Sequence, residues 1–275
     1  MATGKLGLAL GGGGVRGFAH LGVLSVLERE GLVPQVIAGT SMGAIVAGLY
    51  AALPSLRDVE ARLVEFFRRI GPDLLKLAQQ AAAATGGISL SAPSLMDPGV
   101  FHRFFDELIP DIPFEKTRLP VAVVAVDLVT GSEVVYTSGS LRQAVLGSAA
   151  LPGIFPPIRY DGRVLVDGGW TARIPVDAAR TLGADRVVAV EVSEATDRPA
   201  SSVAASGLDI VLRASEITRN YLAKLRLREA DLVLSPPIGH ILLHDAASAA
   251  TCARLGAEAA EAQLTNLRVL VGDRR

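Results

Sequence analysis

Leu6-Gly7-Leu8-Ala9-Leu10-Gly11-Gly12-Gly13-Gly14-Val15-Arg16-Gly17 runs from an apolar stretch of strand length straight into four glycines. Val36-Ile37-Ala38-Gly39-Thr40-Ser41-Met42-Gly43 repeats the arrangement further along, now with a serine held between glycines. A helix-like segment follows each turn. Phe18 to Glu30 carries Phe18, Leu21, Val23, Leu24 and Leu27, and Gly31 stops it. Met42 to Leu53 is apolar almost all round, the mark of a buried helix. Two strand–turn–helix units in series predict an α/β fold with a mostly parallel sheet covered by helices on both faces.

Each turn invites a chemical reading. Gly39-Thr40-Ser41-Met42-Gly43 has the form G-x-S-x-G, in which a sharp strand-to-helix turn thrusts the serine outward and the flanking glycines avoid Cβ clashes. Ser41 is therefore a candidate nucleophile, with helix N-capping as its plainer role. The Met42 N–H, next in the chain, is placed to help hold an oxyanion. The first turn also satisfies G-x-G-x-x-G through Gly12, Gly14 and Gly17, which raises dinucleotide binding. That reading needs an acid at the end of the following strand. The strand ends Val36-Ile37-Ala38-Gly39-Thr40-Ser41 and offers none.

A nucleophile needs a base. Four histidines are present, His20, His102, His240 and His244, and the last two follow Asp167, so a Ser…Asp…His order is formally available. Neither has the neighbourhood of a loop histidine built for catalysis. Asp167 stands in Val164-Leu165-Val166-Asp167-Gly168-Gly169, at the end of a buried strand run where a site opens at a sheet edge. An Asp-Gly pair on its own usually marks a turn. A carboxylate with an ordinary pKa of about 4 is a weak base, so direct use needs a short contact with the serine in a dry pocket.

Composition narrows the classes. The chain has 275 residues, half of them hydrophobic and a fifth charged, so one large domain with a substantial core is expected over 1–275. A net charge of −1 with no basic tail argues against nucleic acid as a partner. The single cysteine, Cys252, excludes an internal disulfide or a cysteine-cluster metal site, and it reads as a small buried hydrophobe. No signal segment is legible, and the uncharged stretch from Gly31 to Leu56 is interrupted by turn residues. A soluble or peripheral cytoplasmic protein is expected, needing neither cofactor nor metal.

Further along, Leu56 to Ile70 and Pro72 to Ala84 read as two helices, and Gly86 to Pro98 as a long loop. Leu74 to Pro98 is either an ordinary helical insertion or a flap over a pocket. Asp97-Pro98 caps a helix bearing Phe101, Phe104, Phe105 and Leu108. Strands are expected at Pro120–Asp127 and Glu133–Thr137, joined by a hairpin at Thr130-Gly131-Ser132, then at Val164–Val166, Arg186–Val192 and Asp231–Leu234. Short helices are expected at Leu141–Leu146 and Pro175–Leu182, and Glu194 to Ala205 reads as a surface loop. Helices at Leu208–Leu225 and near Ala246–Leu264 close the chain. The stretch Leu208–Arg228 carries Arg213, Arg219, Lys224, Arg226 and Arg228, a solvated face or a contact for anionic head groups.

Taken in order, four blocks resemble the patatin-like phospholipase family, in its short bacterial form. They are Gly12 to Gly17, Gly39 to Gly43, Ser148-Ala149-Ala150-Leu151-Pro152-Gly153-Ile154-Phe155-Pro156-Pro157, and Asp167-Gly168-Gly169, within a likeness spanning about residues 5–235. The resemblance implies a three-layer α/β fold and a serine acyl hydrolase working on lipid or acyl-ester substrates. It implies a Ser41–Asp167 dyad without a histidine, and an oxyanion held by Gly12, Gly13 and Gly14, with Arg16 ordering the loop and water releasing the acid. The third block is implied to be structural. One departure stands out: Arg173-Ile174-Pro175 occupies the place where many members carry Asn-x-Pro. A regulatory protein keeping the fold with little turnover, and a Ser-His-Asp esterase, remain the alternatives. The natural lipid and the oligomeric state are not legible.

Overall fold

Apolar alternation in the strands explains how one sheet supports two cores. The computed structural model describes residues 4–83, 94–193 and 207–272. Strand β1 (Leu6–Leu10) turns Leu6, Leu8 and Leu10 to one face, while Ala9 faces the other. Strand β3 (Val121–Asp127) divides in the same way, with Val121, Val123 and Ala125 on the first face and Ala122 and Val124 on the second. A side-chain period of two makes this division automatic.

The larger core holds helices α1 (Phe18–Arg29), α2 (Met42–Ala52), α3 (Leu56–Ala83), α4 (Pro98–Leu108), α5 (Leu141–Ala149) and α8 (Ala249–Ala262). The smaller, alanine-rich core is closed by α6 (Val176–Thr181), with Ala223 from α7 (Gly207–Leu227). Helix α9 (Leu264–Leu270) follows α8. The result is a three-layer α/β arrangement.

The sheet is completed by β2 (Val36–Thr40), β4 (Glu133–Tyr136), β5 (Ile158–Tyr160), β6 (Arg163–Asp167), β7 (Arg186–Val190) and β8 (Leu232–Leu234). Its order is β5-β6-β3-β2-β1-β7-β8, with β4 on β3. Strands β3, β2, β1, β7 and β8 are parallel, while β4, β5 and β6 supply the antiparallel pairings.

The register around β3 builds the site. Strand β2 pairs with β3 over Val121–Val124 and β6 pairs over Ala125–Asp127, while β4 spans Val123–Val126. A strand has two edges, and β4 overlaps both of the others. Strands β2 and β6 therefore share the opposite edge end to end. Thr40 pairs with Val124 and Asp167 with Ala125, so the C-terminal ends of β2 and β6 meet head-on at consecutive residues of β3.

Several expectations need correction. Leu56–Ala83 is one helix that carries Pro72 inside it, not two helices. The β5–β6 pairing and α9 leave too short an apolar pattern to be read from sequence. The loop expected at Gly86–Pro98 falls mostly outside the described residues, as does that at Glu194–Ala205. Asp97 does cap α4, accepting the Val100 N–H at 3.1 Å. Among the described residues, no helix is long and apolar enough to cross a membrane.

Candidate active site

Ser41 sits between β2 and α2 with φ 56° and ψ −123°, a left-handed conformation that L residues rarely adopt. Such strain persists only where the surroundings over-determine it. Here the close glycines do so. A Cβ on Gly39 would lie 2.2 Å from the Gly43 carbonyl oxygen, and one on Gly43 would lie 2.0 Å from that of Leu10. The turn can close only because neither side chain exists.

Ser148, the first residue of the third sequence block, adds a hydroxyl brace. It is fully buried, its Oγ accepts the Ser41 N–H at 2.9 Å and donates to the Val124 carbonyl at 2.5 Å. Thr40, also buried, donates from its hydroxyl to the Ala172 carbonyl at 2.8 Å. Sequence reasoning gave Ser148 no part beyond a structural block. The available signal was a serine within a helix running into the proline-rich segment. Ser148→Ala is expected to leave a buried N–H and C=O unpaired, costing about 1–3 kcal/mol of stability. Any turnover at Ser41 should fall by about 10- to 100-fold as the turn loosens. Urea titration and steady-state kinetics check the two parts separately.

Asp167 is buried at the end of β6. Its carboxylate accepts the Gly169 N–H at 2.7 Å and lies near enough to Ser41 for that hydroxyl to lower its pKa. Burial raises its pKa above the usual carboxylate value, and Ser41, the Gly169 N–H and the charges of Arg219 and Arg173 oppose that rise. Residues more than a hundred apart in sequence thus border the same end of one cavity.

The glycine turn lies alongside. A Cβ on Gly12 would stand 3.0 Å from the Ser41 Cβ. The Gly12 N–H donates to the Arg173 carbonyl at 3.0 Å, and the Gly11 N–H to that of Val190 at 3.1 Å. Of the three glycines expected to donate to an oxyanion, Gly12 therefore has its N–H already committed. Gly13 and Gly14 line the pocket beside Ser41. Gly14 adopts φ 56°, and a Cβ there would lie 2.6 Å from the Leu243 carbonyl oxygen.

Arg16 is buried behind this turn. Its guanidinium donates to the carbonyls of Val192 at 2.9 Å and Ile241 at 2.8 Å, tying the turn to the end of β7 and to the loop before α8. Gly17 gives room to Met42, whose Cγ would lie 2.2 Å from a Cβ there. Met42 opens α2, where the first N–H groups have no intrahelical acceptor. His20 is fully buried with Nε2 2.8 Å from the Gly11 carbonyl, and burial pushes its pKa down to about 4. A neutral imidazole there props the turn from below.

These groups surround one end of a cavity of about 230 Å³. The rest of the cavity is apolar: Ile45 from α2, Phe66, Phe67 and Ile70 from α3, and Phe105 from α4, closed by Leu151, Ile154 and Phe155. Phe66 meets Phe67 and Phe105 edge-on, with ring centroids 5.5 and 5.7 Å apart. The apolar wall was not foreseen as such, because residues spaced for core packing carry no mark of whether they fill a void or border one. Leu95 joins the wall, held by its N–H bond to the Gly153 carbonyl at 3.1 Å. The adjoining residues 84–93 lie outside the described residues, and with them part of the stretch 74–98 read as either a helical insertion or a flap.

At the polar end stand Arg173, which bonds Asn220, and Arg219, whose guanidinium lies 4.7 Å from the centre of the Trp170 ring. His244 also lines this end, whereas His240 is exposed and His102 packs edge-on against Phe101. Among the described residues no cluster of His, Cys, Asp or Glu is grouped to hold a metal ion.

Fold and site together define a three-layer α/β protein with a serine–carboxylate pair where the ends of two strands meet, opening into an apolar cavity. Comparison with known proteins then gives the family. The family model for patatin-like phospholipase matches residues 8–180, and the chain belongs to that family. An uncharacterised NTE family protein of Mycobacterium bovis is 33% identical over 196 residues, covering 71% of this chain and 51% of its own length. The human patatin-like phospholipase domain-containing protein 6 is 32% identical over 189 residues, covering 68% of this chain and 13% of its own. The chain thus spans about half or less of these relatives. Among solved structures, VipD from Legionella pneumophila aligns over 96% of this chain and 67% of its own, at a TM-score of 0.49 and 15% identity.

Proposed function

We propose that this protein is a serine lipid acyl hydrolase, of phospholipase A, lysophospholipase or esterase type, working through Ser41 and Asp167. The observation that carries the reading is Ser41 beside a buried Asp167 carboxylate at the head of an apolar cavity. The acyl chain lies against Phe66, Phe67 and Phe105, with its ester carbonyl at Ser41. As Ser41 Oγ bonds to the carbonyl carbon, its proton passes to Asp167 and the carbonyl oxygen takes the negative charge. The Gly13 and Gly14 N–H groups, with that of Met42 at the start of α2, hold this oxyanion. Asp167 returns the proton to the departing alcohol; water then attacks the acyl-enzyme, losing a proton to Asp167, which passes it to Ser41 Oγ as the Oγ–acyl bond breaks and the acid is freed. Arg16 and His20 fix the glycine turn without touching substrate. The setting this implies is cytoplasmic, at the inner surface of a membrane.

Labelling with a fluorophosphonate tests the reading. Wild type should be labelled, and Ser41→Ala should not. Absence of wild-type labelling, or persistence of label in Ser41→Ala, removes it. The placement of His244 in the same cavity gives a Ser-His-Asp esterase its one point of support. The groups facing the Asp167 carboxylate are instead Ser41, the Gly169 N–H, Arg219 and Arg173. His244→Ala and His240→Ala should therefore keep hydrolysis within about tenfold of wild type, against the 10²–10⁴-fold loss that removing a general base brings. A loss of that larger size in a folded His244→Ala would transfer the base to the histidine.

A further inference from the structure

Helix α7 is amphipathic in the reverse sense. A helix on a globular surface normally turns its apolar stripe to the core and its polar face to water. Here Ala223 and Leu227 reach the smaller core, but much of the described inner face is polar: Glu216 and Asn220 are buried, Arg213 pairs with Glu216 at 2.9 Å, and Arg219 lies against Trp170. The outward residues are apolar. Ile210, Val211, Ile217, Tyr221, Leu222 and Leu225 are all exposed, from 36% for Leu222 to 65% for Tyr221. At 3.6 residues per turn they fall within an arc of about 140°. The other exposed positions of that face between 210 and 225 are Ala214, Thr218 and Lys224, so no acid interrupts it.

The helix reaches the cavity from its inner side. Arg219 on the inner side of the same helix lines the cavity, as does Leu243, which is itself 39% exposed and marks the rim beside Gly14. Leu242, next to it, is 56% exposed. Apolar surface thus appears both on the helix that walls the cavity and at its mouth. Scattered exposed hydrophobics are ordinary, but a continuous helical face marks an interaction surface. A lipid surface suits such a face, because it requires no matching contour and supplies the acyl chains that an apolar cavity takes. Lys224 on the flank and Arg228 just beyond the helix are exposed and suit anionic head groups.

We infer that the outer face of α7, with Leu242 and Leu243, seats this protein on a lipid surface and aligns the cavity mouth with it. The inference rests on the lipid-hydrolase reading for its purpose, yet it is tested without turnover. The sequence left the cations of this segment as either a solvated face or a head-group contact. Their positions divide them: Arg213 and Arg219 face inward, Arg226 pairs with Glu133 and Asp177, and Lys224 and Arg228 are exposed.

Flotation with vesicles of phosphatidylcholine, and of phosphatidylcholine with phosphatidylglycerol, is the direct assay. Wild type should float with both, more strongly with the anionic mixture. Ile217→Glu and Tyr221→Glu should each weaken binding by about tenfold, and the double variant by more, because each puts a charge in place of buried apolar area. Circular dichroism melts confirm the fold, and hydrolysis of p-nitrophenyl butyrate, a monomeric ester, should stay within about twofold. Wild type that does not float, or folded variants that float equally well, would overturn the inference. So would a wild-type dimer in light scattering that Ile217→Glu converts to monomer, since the face would then be a protein interface. If vesicles bind but p-nitrophenyl butyrate is untouched, the hydrolase reading fails and the lipid surface stands.

Discussion

Asp167→Asn is expected to lower hydrolysis of p-nitrophenyl butyrate by about 10³-fold while leaving the fold as stable as wild type or more so. The amide keeps the shape of the carboxyl and can still meet Ser41 and the Gly169 N–H, but it cannot take a proton. Loss of function with stability retained separates a base from a structural acid. The pH dependence sharpens this. Asp167 must be ionised to act, and burial raises its pKa above the ordinary carboxylate value. The acid limb of the activity profile should therefore lie above the usual carboxylate value of about 4.

Stability moves the opposite way. A carboxyl with a raised pKa in the folded state favours folding when protonated. That contribution is fully present below the unfolded pKa and is lost as pH rises through the folded one. Wild type should lose stability relative to Asp167→Asn across the same interval in which it gains activity. Urea midpoints and initial rates measured from pH 4 to 8 show whether the two curves cross in this way. A rate profile identical in shape for wild type and Asp167→Asn would remove Asp167 from the chemistry.

Gly22→Ala and Gly256→Ala are each expected to cost about 3 kcal/mol or more, lowering Tm by roughly 6–12 °C. Helices α1 and α8 cross at these two glycines. A Cβ on Gly22 would lie 1.9 Å from the Ala253 carbonyl oxygen, and one on Gly256 would lie 2.1 Å from that of Ala19. The obstacles are backbone, so no side-chain rotation relieves them and the helices must move apart. The consequence reaches the site. Helix α1 follows the glycine turn directly, and Arg16 ties that turn to the loop leading into α8. Both variants should therefore also label more slowly with fluorophosphonate at temperatures where they remain folded. A melt within 2 °C of wild type for both would mean that α1 and α8 do not touch there. Cys252, buried in this same helix with its thiol pushed up to about 11, should resist alkylation until α8 detaches.

The readable parts of this protein were those where local chemistry is decisive. Glycines breaking an apolar run, a serine between glycines and an acid before two glycines each specify a strand end and a turn, because few other residues tolerate those backbones. The same logic gave the β–α–β–α start, the cap at Asp97 and the β3–β4 hairpin. It failed where pattern was short or ambiguous. Pro72 looked like a helix boundary but lies inside α3, where a proline costs one backbone hydrogen bond that packing can offset. Strand β5, three residues long, has no period to detect.

Sequence by itself determined the two turns, their serine and glycines, the α/β class and the family. Only the tertiary structure decided what each group faces. The head-on meeting of β2 and β6 along β3 brings Ser41 to Asp167, and no property of either segment encodes that register. Ser148 became a brace, Gly12 lost its N–H to Arg173, and the phenylalanines of α3 and α4 came to border a cavity. Helix α7 turned Arg213, Glu216 and Arg219 inward. A sequence fixes which conformations its residues can hold; partners and exposure are set by pairing and packing over long separations, where each contact depends on all the others.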